Sequence, residues 1–407
     1  MAEIAMNTLL SRLLLPTLLF AGTALAEKPF VEKDDVFPLD VKHNHASSIL
    51  YLPNGDLFVC WYRGSGERQA DDVQVMGARK KKGAKSWSAP FVLADVAGFP
   101  DTNPTLFLDR DKRLWLFWQT IVANTWESAI TSYRVSSNYN GDGVPKWDRA
   151  DIMLLKPNHL VERVQEFGSR YTSGREGDYW KRELEKAKDK YFSRMGWMNR
   201  PHPVQLASGR IVVGLYSDGY SISLAAISDD NGLTWHASDP IVGNGNIQPS
   251  FAIKKDGGLV AYMRDNGPPP KRLMKSESKD NGETWTFAED TDIPNSGTGV
   301  EVLTLKDGRW LMINNDTERG RNSLCLSISN DEGKTWKWNR HIELDKRAEK
   351  PGSFHYPAIV QAADGTIHAS YSVFLNHLPQ TEPHKTIRHA HFNLEWVMEG
   401  DPAEAAH

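Results

Sequence analysis

Short apolar runs alternate along the chain with clusters of Gly, Asn, Asp and Ser, which is the pattern of β-strands joined by tight turns. Six strand–turn–strand units can be read from residue 50 onward. Their turns begin at Asn54, Asp111, Ser208, Asp256, Asp307 and Asp364, and five carry a glycine at the next position or the one after. Asn-Gly, Ser-Gly and Asp-Gly between apolar runs predict hairpins. Seven residues before the turn, four units carry proline: Pro104, Pro201, Pro249 and Pro357. Proline suits the first residue of a strand, where a missing N–H costs least, so each unit is expected to open there.

A second repeat lies between these units. Ser-x-Asp-x-Gly-x-Thr-Trp occurs at Ser228–Trp235, Ser278–Trp285 and Ser329–Trp336, with starts 50 and 51 residues apart; degenerate copies end at Trp87 and Trp147. The Asp caps backbone N–H groups, the Gly supplies a positive φ and the Trp packs beneath, so this is a structural turn. Together the two repeats predict an all-β fold, a six-bladed β-propeller of four-stranded units. The last unit lacks a fourth strand, which the segment around Phe30–Phe37 is expected to supply. Units two and three are 97 residues apart, against 48 to 57 elsewhere. The surplus, about 155–196, predicts a helical insertion between blades two and three. Within it, Asp178–Lys188 reads as an exposed helix with Glu183/Lys186 and Glu185/Lys188 spaced for ion pairs.

Composition narrows the function. With 48 Lys+Arg against 52 Asp+Glu the net charge is −4, so no basic excess exists for a nucleic-acid backbone. The 14 Trp suit repeated packing or stacking on sugar rings. Two cysteines, Cys60 and Cys325, exclude a disulfide scaffold and read as buried free thiols. Arg12, a short apolar run and Ala24-Leu25-Ala26 form a secretory signal over residues 1–26. Residues 27–407 are then an exported propeller domain, secreted or periplasmic, with no membrane span. His43 and His45 have no carboxylate at ligand spacing, so neither a metal nor another cofactor is expected.

In a propeller the innermost strands line the channel, and their starts form its mouth. Eight residues before each turn stand Ala46, Asn103, Arg200, Gln248, Gly299 and Tyr356, and two residues on, on the same side, Ser48, Thr105, His202, Ser250, Glu301 and Ala358. So polar a ring is poor core material, which points to a solvent-filled binding pocket. Arg63, Glu67, Asp71, Asp72, Arg264, Asn266 and Arg321 follow on neighbouring strands and loops. Several arginines near one rim suit an anionic ligand.

With its Asp-box turns, six-fold register and Arg264-Asp265-Asn266-Gly267 stretch, the chain resembles the sialidase superfamily, in particular a secreted bacterial branch with a His-Ala-Ser first-blade entry (His45-Ala46-Ser47). The resemblance implies that Arg264 and Arg321 clamp a sugar carboxylate, that Tyr356 is the nucleophile, and that Glu67, with Asp71 next, is the acid/base. A tyrosine nucleophile avoids the repulsion a carboxylate would suffer from an anionic sugar. Three positions depart from the family pattern. His45 replaces the first clamp arginine, so Arg63 or Arg200 would have to complete the grip. Gln248 replaces the glutamate that takes the tyrosine proton, leaving Glu301 as a stand-in, and Asn103 replaces an aspartate. The resemblance implies an exported exo-glycosidase that removes a terminal acidic sugar, sialic acid or a relative, with retention. The alternatives are a glycosidase or lyase acting on a uronic-acid- or rhamnose-containing polymer, and a non-catalytic glycan-binding propeller.

Overall fold

A computed structural model describes residues 28–402; the expected signal segment lies outside them. Six four-stranded antiparallel sheets follow one another in chain order, the third with its inner strand split in two. Blade one is typical: His43–Tyr51, Leu57–Gly64, Gln74–Lys80 and Phe91–Ala94, from channel to rim. The second strands are almost wholly buried because neighbouring blades cover both faces, which explains runs such as Leu57–Trp61 and Leu114–Trp118. Rim strands meet water and are polar, as in Glu289–Pro294.

The ring closes as expected. Val31–Asp35 is the outermost strand of blade six, paired from Val31↔Phe392 to Asp35↔Arg388. The Asp-box turns join third and fourth strands. In the first, Asp230 accepts from Thr234 N at 2.9 Å and Thr234 Oγ1 at 2.6 Å, while Gly232 N donates to Ser228 Oγ at 2.7 Å. Gly232 has φ +74°, and a Cβ there would lie 2.3 Å from the Trp115 ring of blade two, so glycine is required twice over.

Two expectations need correction. Pro104, Pro249 and Pro357 do not open strands; they lie inside Asp101–Leu108, Asn246–Ile253 and Ser353–Gln361, each at a β-bulge. A bulge interrupts the ladder, so the missing N–H is tolerated there as well. Blade one has the same bulge between His45 and Ser48. At all four the residue before the proline, or before Ser47 in blade one, is left-handed: Ala46 (φ 54°), Asn103 (44°), Gln248 (59°) and Tyr356 (47°). Such backbone is costly for non-glycine residues and concentrates at functional sites.

The insertion is the second correction. It forms helices α1 (Leu160–Gly168), α2 (Gly174–Lys188) and α3 (Lys190–Arg194). The two expected ion pairs form, but α2 is not simply a solvated helix. Trp180 and Ala187 join Leu160, Val164 and Phe167 in a core shared with Ile211, Val213 and Tyr220 of blade three, and Glu183 is only 2% exposed. Lys186 Nζ donates to Gly219 O at 2.8 Å and Tyr179 Oη to Tyr220 O at 3.0 Å. The insertion therefore buttresses the loop that follows the second strand of blade three. Among the described residues no helix is long and apolar enough to cross a membrane.

Candidate active site

At the channel mouth lies a cavity of about 390 Å³ lined by His45, Tyr62, Glu67, Asn103, Trp126, Tyr216, Asp218, Gln248, Arg264, Asn266, Arg321 and Tyr356. The bulges build it. Tyr356, Gln248 and Asn103 share one register, and the bulge places each of their side chains along the cavity wall. Tyr356 Oη accepts from Arg264 Nη1 at 3.1 Å and Gln248 Nε2 at 3.4 Å. Gln248 also donates to Tyr216 Oη at 3.3 Å, which accepts from Asn103 as well. The corresponding position in blade five is Gly299 because the tyrosine ring occupies the space: a Cβ there would sit 2.7 Å from Tyr356 Cδ1.

Arg321 is steered by His355, whose Nδ1 lies 2.5 Å from Nη1. Burial and the neighbouring charges of Arg321, His43 and Arg264 hold the His355 pKa far down, so the imidazole is neutral and accepts. His45, 4% exposed with its ring 4.7 Å from that of Tyr356, is likewise kept neutral by burial and by His355, His43, Arg321 and Arg200. The residue at the first clamp position thus carries no charge. Two guanidinium groups, those of Arg264 and Arg321, face the cavity.

Two carboxylates oppose them, in contrasting states. Glu67 is half-buried, which by itself would raise its pKa, yet the pKa is lowered, chiefly by His43, whose Nε2 lies 3.1 Å away, and then by Tyr62, whose Oη donates to it at 2.8 Å. Asp218 is pushed up to about 6, chiefly by burial; Arg264 and Arg68 oppose the rise, while Glu127 and Glu67 add to it. A pair of carboxyls driven apart in this way is suited to separate acid and base duties. His43, His45 and Glu67 also bring ligand atoms within 4.8 Å of one another, so the 66–72 loop supplies the carboxylate partner that spacing alone did not offer. The positive charges around His45 oppose a metal ion there.

Other expected site residues lie elsewhere. Glu301 does not line the cavity: its Oε1 is 2.5 Å from His202 Nδ1, and its Oε2 accepts from Ile359 N at 3.0 Å. The reason is its register. Ser48 accepts from Leu106 N and Ser250 from Val302 N in the same way, so this ring ties blade one to two, four to five and five to six. Through His202 Nε2, 2.9 Å from Ser48 Oγ, it forms a hydrogen-bonded floor where the sequence suggested open solvent. Arg200, 2% exposed, donates to the carbonyls of Ser47 and Tyr356 and holds the Tyr356 backbone from below. Arg63 pairs with Asp40 at 2.7 Å. Asp72 binds Ser65 and Lys42, and Asp71 is exposed. None of these lines the cavity.

Tyr62, Trp126, Tyr216 and Asp218 were not singled out from sequence. A signal existed for most: Tyr62, Tyr216 and Arg264 each stand seven residues after a turn glycine (Gly55, Gly209, Gly257), and Asp218 and Asn266 two further on. Trp126, on a short 3-10 turn, has no such register.

Six blades, Asp-box turns and an arginine-lined cavity at the bulged mouth define a propeller of the sialidase superfamily. The chain belongs to the BNR repeat-like domain family, whose model matches residues 55–369. It is 23% identical over 382 residues to a sialidase of Micromonospora viridifaciens, covering 86% of this chain and 51% of that protein, so it spans about half that relative's length. The intramolecular trans-sialidase from Ruminococcus gnavus, solved in complex with oseltamivir carboxylate, superposes with a TM-score of 0.64 at 15% identity, over 90% of this chain and 98% of that one. A Dyadobacter fermentans protein of unknown function superposes equally well, TM-score 0.64 at 17% identity, over 89% and 99%. At these identities the structural likenesses speak for the fold.

Proposed function

We propose that this protein is an exported sialidase-like exo-glycosidase that removes a terminal acidic sugar from glycans with retention. The observation that carries the proposal is Tyr356 Oη held by Arg264 at the cavity wall, with Arg321 alongside and two carboxyls of opposite tendency facing them. Arg264 and Arg321 hold the substrate carboxylate. Tyr356 oxygen attacks the anomeric carbon as the glycosidic C–O bond breaks, and its proton passes through a cavity water to ionised Glu67, which does not touch the phenol. Asp218 gives its proton to the departing oxygen. Water then cleaves the tyrosyl–sugar bond, losing a proton to Asp218, and Glu67 reprotonates Tyr356. Negative charge developing on the tyrosine oxygen strengthens the Arg264 and Gln248 hydrogen bonds, which is the help a preorganised site gives in place of a contacting base. Glu301, Arg200 and His202 position the floor, and Asn103 orients Tyr216.

Gln248, an amide that cannot take the tyrosine proton, favours a second reading, a non-catalytic glycan-binding propeller; a lyase acting on a uronic-acid polymer is the other alternative. Chromogenic sialosides, uronides and neutral glycosides, tested with the wild type and Tyr356→Phe, separate the three. Release of the chromophore from an acidic glycoside, lost in the variant, supports the glycosidase. An unsaturated product that absorbs in the ultraviolet supports the lyase. Saturable binding without turnover leaves a glycan-binding propeller.

A further inference from the structure

Blade five carries a second cluster, on the strands whose connecting loop also presents Arg321 to the cavity. Its second, third and fourth strands are Trp310–Asn314, Ser323–Ser329 and Lys337–Leu344. Cys325 is directly opposite His341 on the neighbouring strand and opposite Asn314 on the other side. Directly opposed residues share a face of the sheet, and Asp316, two residues beyond Asn314, brings its carboxylate over the same face. The thiol, the imidazole and the carboxylate place ligand atoms within 4.8 Å of one another. His341 Nε2 is 3.1 Å from Asp316 Oδ2, close to the roughly 3.3 Å edge of a tetrahedron with bonds of about 2 Å.

We propose that Asp316, Cys325 and His341 form a zinc-class divalent metal site, closed by one water. Three features beyond the cluster point to a ligand. First, Asp401 grips His341 from behind: its Oδ1 accepts the backbone N at 2.9 Å and its Oδ2 bonds Nδ1. That fixes the ring with Nε2 forward, the carboxylate–histidine arrangement that orients metal-bound imidazoles. Second, Ser323 Oγ donates to Asp316 Oδ1, which leaves Oδ2 for the cluster. Third, Asp316 and Cys325 form part of the wall of a cavity of about 490 Å³, which supplies an entry path and room for the water. One sulfur, one nitrogen and one oxygen donor suit zinc, and mixed sets of this kind do not select magnesium or calcium. On binding, the thiol proton and the Nε2 proton that His341 holds against Asp316 both leave to solvent. The metal would join the second strand's end to the third and fourth strands and, through Asp401, to the C-terminal segment.

Chelator-stripped protein titrated with Co²⁺ tests this directly. A thiolate-to-cobalt charge-transfer band that saturates at one equivalent and is displaced by Zn²⁺ is expected. It should vanish in Cys325→Ser and in His341→Gln and persist in His43→Ala, which disrupts the other histidine–carboxylate cluster. Asp401→Asn should weaken Co²⁺ binding about 10- to 100-fold. Wild-type protein without the band overturns the proposal whatever the variants do, as does a band that survives Cys325→Ser. The cluster is then an Asp316–His341–Asp401 ion relay beside a buried thiol.

Discussion

Replacing Asp218 with asparagine should make the protein more stable, and only at neutral to alkaline pH. Asp218 lies on the loop after the second strand of blade three, where burial, Glu127 and Glu67 outweigh Arg264 and Arg68 and move its pKa from 3.8 to about 6. At about 1.36 kcal/mol per unit, holding this carboxylate ionised in the folded state costs about 3 kcal/mol relative to the unfolded chain. The sign follows from proton binding: a raised folded-state pKa stabilises fully below the unfolded value, and the contribution is lost as pH rises through about 6. At pH 8 the wild type bears the whole cost and Asp218→Asn none of it. At about pH 4 the two should agree to about 0.5 kcal/mol. Urea unfolding of both proteins at the two pH values measures the gap. An equal gap at both, or a more stable wild type at pH 8, refutes the assignment of Asp218 as a carboxyl strained by burial.

Three further outcomes follow from the cavity. Arg264→Ala should raise KM steeply, because removing one partner of a buried charged contact costs about 2–5 kcal/mol; thermal scans with kinetics unchanged would mark Arg264 as structural. Gly299→Ala drives a Cβ to 2.7 Å from the Tyr356 ring, so turnover should fall by orders of magnitude while stability drops by about 1–3 kcal/mol; normal kinetics would mean that the ring moves freely. The rate profile kcat/KM against pH should fall above about 6 as Asp218 loses its proton, and this limb should be absent in Asp218→Asn.

The fold was legible because it repeats. Six turns and three Asp boxes impose one register, and that register placed the closing strand at Val31–Asp35 within the predicted segment. It also singled out Asn103, Gln248 and Tyr356, since the bulge recurs at a fixed distance from the turn. The same arithmetic misjudged Glu301 and His202. Periodicity assigns a face, but it cannot tell a pocket from a hydrogen-bonded floor, and the difference lies in the inter-blade N–H groups of Leu106, Val302 and Ile359. Asp218 is not conspicuous in its own second strand and comes level with Asn266 only when the strands are aligned on their turn glycines. The buried face of α2 escaped because the charges of Lys181, Arg182, Glu185 and Lys188 dominate its sequence, while Trp180 and Ala187 dock on blade three.

The role of Tyr356 is the centre of the account, and the stereochemistry of the first-formed product reads it most directly. Proton NMR of an acidic glycoside during turnover should show the sugar released with the anomeric configuration of the substrate. Tyr356→Phe, which keeps the ring against Gly299 and removes only the oxygen held by Arg264, should fold, bind and turn over at least a hundredfold more slowly, a loss of about 2.7 kcal/mol or more of transition-state stabilisation. An inverted product, or a phenylalanine variant working at near-normal rate, would contradict the account and leave Glu67 and Asp218 to carry the reaction without a tyrosine.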